Sequence, residues 1–151
     1  MDLLANETGY ATPKVDVRGV VLKDNDVLLV RERDDGLWSL PGGWAEVGES
    51  PNEAVAREVL EEAGLHVEAS RLLAVHDRGR HDLTPYPFAV YTLFVLCRLT
   101  GETTLDNPET SEAAFSPRGR LPDLSTYRVS PNQLQRVFRV CDDPALPAEL
   151  D

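Results

Sequence analysis

The sequence predicts an α/β or α+β domain, and three observations carry that reading. Short runs rich in β-branched residues alternate with turn chemistry, two stretches show helical spacing behind serine–proline caps, and 151 residues suit one hydrophobic core. Residues 1–12 are polar and without a period, and read as an N-terminal arm. Thr12-Pro13 leads into a first strand marked by Val15, Val17, Val20 and Val21. Asp24-Asn25-Asp26 is turn chemistry and Val27–Val30 a second strand, so the pair predicts a hairpin. Leu37-Trp38-Ser39-Leu40 is a short apolar stretch that Pro41-Gly42-Gly43 stops.

The first helix has clear limits. Ser50 is an N-cap, Pro51 fits the first helical position, Glu53 completes a capping box, and Gly64 follows Ala63 as the C′ residue. Leu72–Val75 and Tyr86–Cys97 read as further strands, with Pro85 and Pro87 bending the approach to the second. Ser130 and Pro131 repeat the cap signal and open a second helix through Val140, where Leu134, Val137, Phe138 and Cys141 follow helical spacing. The predicted domain therefore covers residues 13–141, and residues 142–151 form an acidic tail.

A net charge of −11 argues against a general nucleic-acid-binding protein, because such a surface repels phosphate backbones and gains nothing from counterion release. Small anionic substrates remain compatible if metal ions reverse the local charge. The apolar run Phe88–Cys97 is too short to span a bilayer, and residues 1–10 lack a secretory pattern. Cys97 and Cys141 lie far apart and read as reduced thiols of a cytoplasmic protein.

On the first helix each residue advances about 100°, which puts Glu61 and Glu62 within roughly 60° of Glu58 on either side. Val59, Leu60, Ala56 and Ala63 fall on the other side, so one face is expected to pack on a sheet while the other presents three carboxylates. Like charges at this spacing repel, and the C-terminal end of a helix favours cations instead. A divalent cation would account for the placement; a solvated acidic face is the ordinary alternative. Pro41-Gly42-Gly43 lets the backbone pass close to such an ion and offers a carbonyl oxygen.

Gly43, five residues, Glu49, seven residues, then Arg57-Glu58-Val59-Leu60-Glu61-Glu62-Ala63-Gly64-Leu65 resembles the Nudix box at every defined position. The resemblance implies the Nudix fold, an α/β/α sandwich around a mixed β-sheet, and hydrolysis of a nucleoside diphosphate linked to another group. It implies that Glu58, Glu61 and Glu62, with the Gly42 carbonyl, bind Mg²⁺ or Mn²⁺, and that Gly43, Glu49, Arg57 and Gly64 support the box. Glu61 is the first choice of general base and Glu62 the second; Glu109 and Glu112 are candidates from a later loop, Glu112 preferred.

Substrate choice should lie outside the box. Arg78, Arg80 and His81, between two strands, and Arg18 on the first strand suit phosphates, and Tyr86 or Phe88 could stack a base. Residues 10–19 with Asp77-Arg78 and Thr110-Ser111-Glu112 resemble the CDP-choline pyrophosphatase-like branch, near the ADP-ribose pyrophosphatases. Members of that branch commonly carry an N-terminal helical domain; about a dozen residues precede Pro13 here, so that domain is expected to be missing. The expected substrates are ADP-ribose or a CDP-alcohol such as CDP-choline, and the family's habit makes a homodimer possible. The alternatives are a MutT-type nucleoside triphosphate pyrophosphohydrolase and a non-catalytic nucleotide-binding module, against which the complete set of box carboxylates argues.

Overall fold

The computed structural model describes residues 9–103 and 112–151. The hairpin forms as the sequence predicts: β1 (Lys14–Lys23) turns through Asp24 and Asn25, both at positive φ, into β2 (Asp26–Arg31). Asp and Asn tolerate that left-handed backbone better than most residues, which is why the turn could be read from three letters. β3 (Trp38–Ser39) pairs with β2, and β4 (Gly42–Trp44) pairs antiparallel with β1. The two glycines of the Pro-Gly-Gly stop are thus themselves strand, a pairing that only long-range contact reveals.

Helix α1 (Pro51–Ala63) has the Ser50–Glu53 capping box and ends on Gly64 at φ 70°. β5 (Leu65–Asp77) extends well beyond the expected Leu72–Val75, while β6 (Val90–Glu102) starts at Val90 rather than Tyr86 because the proline-containing approach stays outside the sheet; the two form an antiparallel pair interrupted by register shifts. β6 also runs parallel to β1. β7 (Glu112–Pro117) pairs with β2, and α2 (Pro131–Asp142) opens on a second capping box at Ser130 and Gln133. The sheet order is β3-β2-β1-β6-β5-β8, with β4 on β1 and β7 on β2. The tail expected beyond residue 141 is partly structured: β8 (Glu149–Leu150) lies parallel to β5.

Alternation along the strands divides the interior into two cores. Val17, Val21 and Leu28 pack with Val55 and Val59 of α1, whereas Val20, Leu29 and Phe94 pack with Leu134 and Val137 of α2. One helix on each face of a mixed sheet is the α/β/α sandwich. β1 changes partner along its length, with Asp16–Arg18 against β4 and Leu22–Lys23 against β2. α1 delivers its carboxylates beside the β1–β4 pair.

Candidate active site

The buried stripe of α1 is Ala54, Val55, Glu58, Val59 and Glu62, so two of the glutamates are covered rather than displayed to water. The expected division into a packed apolar face and a face of three carboxylates is met in part: Leu60 and Ala63 are only half-buried, and the helix is turned so that Glu58 and Glu62, one turn apart, enter a cleft. Gly42 and Gly43 make the space. A Cβ on Gly43 would stand 2.7 Å from Glu58 Oε1, and one on Gly42 only 1.9 Å from the Val17 carbonyl oxygen. The Gly42 amide donates to Glu62 Oε1 at 3.4 Å.

Burial raises the Glu62 pKa most, and its hydrogen bond with the Glu58 carboxyl raises it further, to about 9, against the opposing pull of Arg18. Without a cation the two carboxyls hold a proton in place of one charge. A divalent cation fits this site on the same ground: the donors are hard oxygens, and two buried carboxyls that resist ionising side by side can both ionise against a bound cation.

Arg57 organises the rest of the box. Its Nε and Nη2 donate to both oxygens of Glu49 at 3.0 and 2.8 Å, and Nη1 reaches Glu58 and Glu61 at 3.1 Å each. Glu61 thus lies on the Arg57 side of the helix, its side chain 41% exposed, and it does not line the cleft. The 100° step separates it from Glu62.

The cleft, about 480 Å³, gathers residues from distant parts of the chain. Arg18 lies in its floor, but its donors are occupied within the protein: Asp16 takes Nε and Nη2 at 3.1 and 3.0 Å, and Leu40 O takes Nη1 at 3.0 Å. This buried guanidinium braces the floor rather than reaching outward. Arg78 is different. It lines the cleft, donates to the Tyr127 carbonyl at 3.0 Å, and sits 5.1 Å from the Tyr86 ring centroid, with no ion pair among the described residues. Arg80 and His81 lie outside the cleft lining. Arg78–Arg80 is a 3₁₀ turn, whose side chains diverge by about 120°, so one turn cannot aim both arginines inward. Arg80 is exposed beside Asp77 at 3.7 Å, and His81 bonds Asp151 at 2.7 Å.

Glu112 is exposed on β7, paired with Arg31 at 3.0 Å and absent from the cleft lining; Glu109 lies outside the described residues. The residues missed in the sequence are Trp44, Tyr127 and the acidic wall of Glu32 and Asp34 held by Arg128. Trp44 and Tyr86 are 46% and 39% exposed, with ring centroids 6.3 Å apart, and form an aromatic wall beside Arg78. Asp16 was also missed, although a signal existed: it stands two residues from Arg18 on a strand, so the opposite charges share one face.

Residues 12–136 match the family model described as NUDIX domain. A putative ADP-ribose pyrophosphatase of Bacillus subtilis is 51% identical over 140 residues, 91% of this chain and 66% of that protein's length. An ADP-ribose pyrophosphatase of Methanocaldococcus jannaschii is 35% identical over 77% of this chain and 69% of its own. Among solved structures, a UDP-X diphosphatase superposes with a TM-score of 0.87 at 33% identity over 98% of this chain and 71% of the other. An ADP-ribose pyrophosphatase of Streptococcus suis superposes at 0.82 with 38% identity, over 93% and 100%. No helix among the described residues is long and apolar enough to cross a membrane. With a family model spanning most of its length and Glu58 and Glu62 of the box brought together in one cleft, the chain belongs to the Nudix hydrolases.

Proposed function

We propose that this chain hydrolyses the pyrophosphate bond of a nucleoside diphosphate linked to another group, with Mg²⁺ as cofactor and ADP-ribose as the leading substrate. The observation that carries the reading is the juxtaposition of the buried Glu58–Glu62 pair with Arg78 and the Trp44–Tyr86 wall in one cleft. Carboxylates and an arginine suit a metal-bridged pyrophosphate, and exposed aromatic faces suit a base or sugar. The names borne by the B. subtilis, M. jannaschii and S. suis relatives support a sugar-linked diphosphate over a triphosphate.

Glu58 and Glu62 would hold the metal, with Gly42 placing backbone beside them; Mn²⁺ is the expected substitute. When bound, such an ion neutralises the pyrophosphate and makes a bound water more acidic. The chain's own residues supply the rest. Arg57 fixes the Glu58 carboxylate from behind, the Arg78 guanidinium binds a phosphate oxygen, and the Arg18–Asp16 pair keeps the floor rigid. Glu62, aimed into the cleft, is better placed than Glu61 to take a proton from the attacking water, since Glu61 is engaged by Arg57. Products would be a nucleoside monophosphate and a phosphorylated partner.

A panel of ADP-ribose, a UDP-sugar, CDP-choline and 8-oxo-dGTP, with products identified, tests the assignment. Preferred turnover of ADP-ribose to AMP and ribose 5-phosphate supports it. Preferred release of pyrophosphate from the triphosphate overturns it in favour of the MutT-type reading.

A further inference from the structure

The segment at residues 149–151 is bound to the turn that carries Arg78 more closely than an acidic tail requires. Asp151 Oδ2 accepts the Asp77 amide at 2.8 Å and His81 Nε2 at 2.7 Å. Those two donors lie immediately before and immediately after the Arg78–Arg80 turn. One carboxylate therefore brackets the turn. Asp77 closes it from inside, its Oδ1 accepting the Gly79 amide at 3.0 Å.

The bracket is anchored in the core. The Asp151 amide donates to the Val75 carbonyl at 3.3 Å, and Glu149 Oε1 bonds the fully buried His76 at 2.6 Å and Arg136 at 2.7 Å. The His81 ring stacks on His76 with centroids 3.9 Å apart and 21° between planes. Candidate ligand atoms of His76, His81 and Asp151 lie within 4.8 Å of one another. Stacked imidazoles, however, direct their in-plane lone pairs side by side rather than at one centre, and each Nε2 already meets a carboxylate. This cluster is a hydrogen-bonded clamp and not a metal cage.

We propose that Asp151 is a positioning residue for substrate binding, clamping the Asp77–His81 turn so that Arg78 points into the cleft. The proposal rests on the reading of Arg78 as a substrate-binding arginine. Its physical content is preorganisation. Released from Asp151, the turn would sample orientations in which Arg78 misses the diphosphate, and binding would weaken by the fraction of time spent misplaced. The reacting groups on α1 would keep their geometry, so turnover at saturation would survive.

The test is steady-state kinetics with ADP-ribose, together with thermal melting, for Asp151→Ala, Asp151→Asn, Arg78→Ala and the Asp151→Ala/Arg78→Ala double variant. Asp151→Ala should raise KM by about three- to tenfold with kcat within about twofold, and should add nothing in the Arg78→Ala background. Asp151→Asn retains an acceptor for the Asp77 amide and loses the charge facing His81. It should give a smaller KM rise in the same direction, and it decides the matter if the alanine variant does not fold. An unchanged KM in the Asp151 variants beside a raised KM in Arg78→Ala overturns the clamp. So does an equal KM effect in both backgrounds, which marks a structural role alone. An unchanged KM in Arg78→Ala overturns instead the assignment of Arg78 to the substrate.

Discussion

Replacing Glu62 with glutamine should stabilise the metal-free protein while abolishing its activity. In the absence of a cation, burial and the neighbouring Glu58 raise the Glu62 pKa well above the ordinary value of 4.5. The sign of the pH effect follows. Below about pH 4.5 the carboxyl is protonated in both folded and unfolded chains, and it costs nothing. As pH rises, the unfolded chain releases this proton while the folded chain retains it, so stability falls until the folded pKa is reached. At about 1.4 kcal/mol per unit, the cost by pH 8.5 is on the order of several kcal/mol, shared with Glu58. Glutamine keeps the shape and an acceptor for the Gly42 amide without ionising. For a chain of this size about 1 kcal/mol moves Tm by roughly 2–4 °C. Between pH 5 and 8.5 in excess chelator, the wild type should therefore lose on the order of 10–20 °C more than Glu62→Gln, by calorimetry or circular dichroism. Saturating Mg²⁺ should narrow or reverse the difference, because it binds the ionised pair. Parallel pH profiles for the two proteins in chelator would refute the buried-charge argument.

Other expectations concern neighbouring residues. Gly43→Ala places a methyl 2.7 Å from Glu58 Oε1, so kcat/KM should fall by about tenfold or more while Tm drops by only a few degrees. Wild-type kinetics would show that the carboxylate has room to give. Gly42→Ala meets backbone at 1.9 Å and should fail to yield folded protein, judged by soluble expression and melting. Glu112→Gln should leave turnover within about twofold of wild type, since Glu112 is exposed and salt-bridged to Arg31 away from the cleft lining. Loss of activity there would return a catalytic role to the later loop. Phe94→Ala, at a fully buried core position against His76, should cost about 3–5 kcal/mol, measurable by urea unfolding.

What could be read in the sequence was whatever short-range chemistry determines. Ser50, Pro51, Glu53 and Gly64 mark α1 because caps and turns depend on neighbours a few residues away, and the same is true of Ser130-Pro131 and the Asp24-Asn25 turn. The box residues Glu49, Arg57 and Glu58 were legible for the same reason. Pairings between distant segments were not. Gly42–Trp44 reads as a loop until β1 supplies its partner, and Glu149–Asp151 reads as a tail until β5 and His81 hold it. Tyr127 and Arg128 enter the cleft from a segment without periodicity or motif. Of the arginines and histidine read together between two strands, the 3₁₀ geometry brings Arg78 to the cleft and leaves Arg80 and His81 outside its lining. Residue type alone could not separate them.

We propose Glu58 and Glu62 as the metal-dependent hydrolytic centre for a nucleoside diphosphate derivative. Its most direct measurement is the rate of AMP release from ADP-ribose by wild type with Mg²⁺, by wild type in excess chelator, and by folded Glu62→Gln with Mg²⁺. Turnover is expected in the first case, and a loss of at least about a hundredfold in each of the others. Undiminished AMP release in chelator, or from Glu62→Gln, would contradict it.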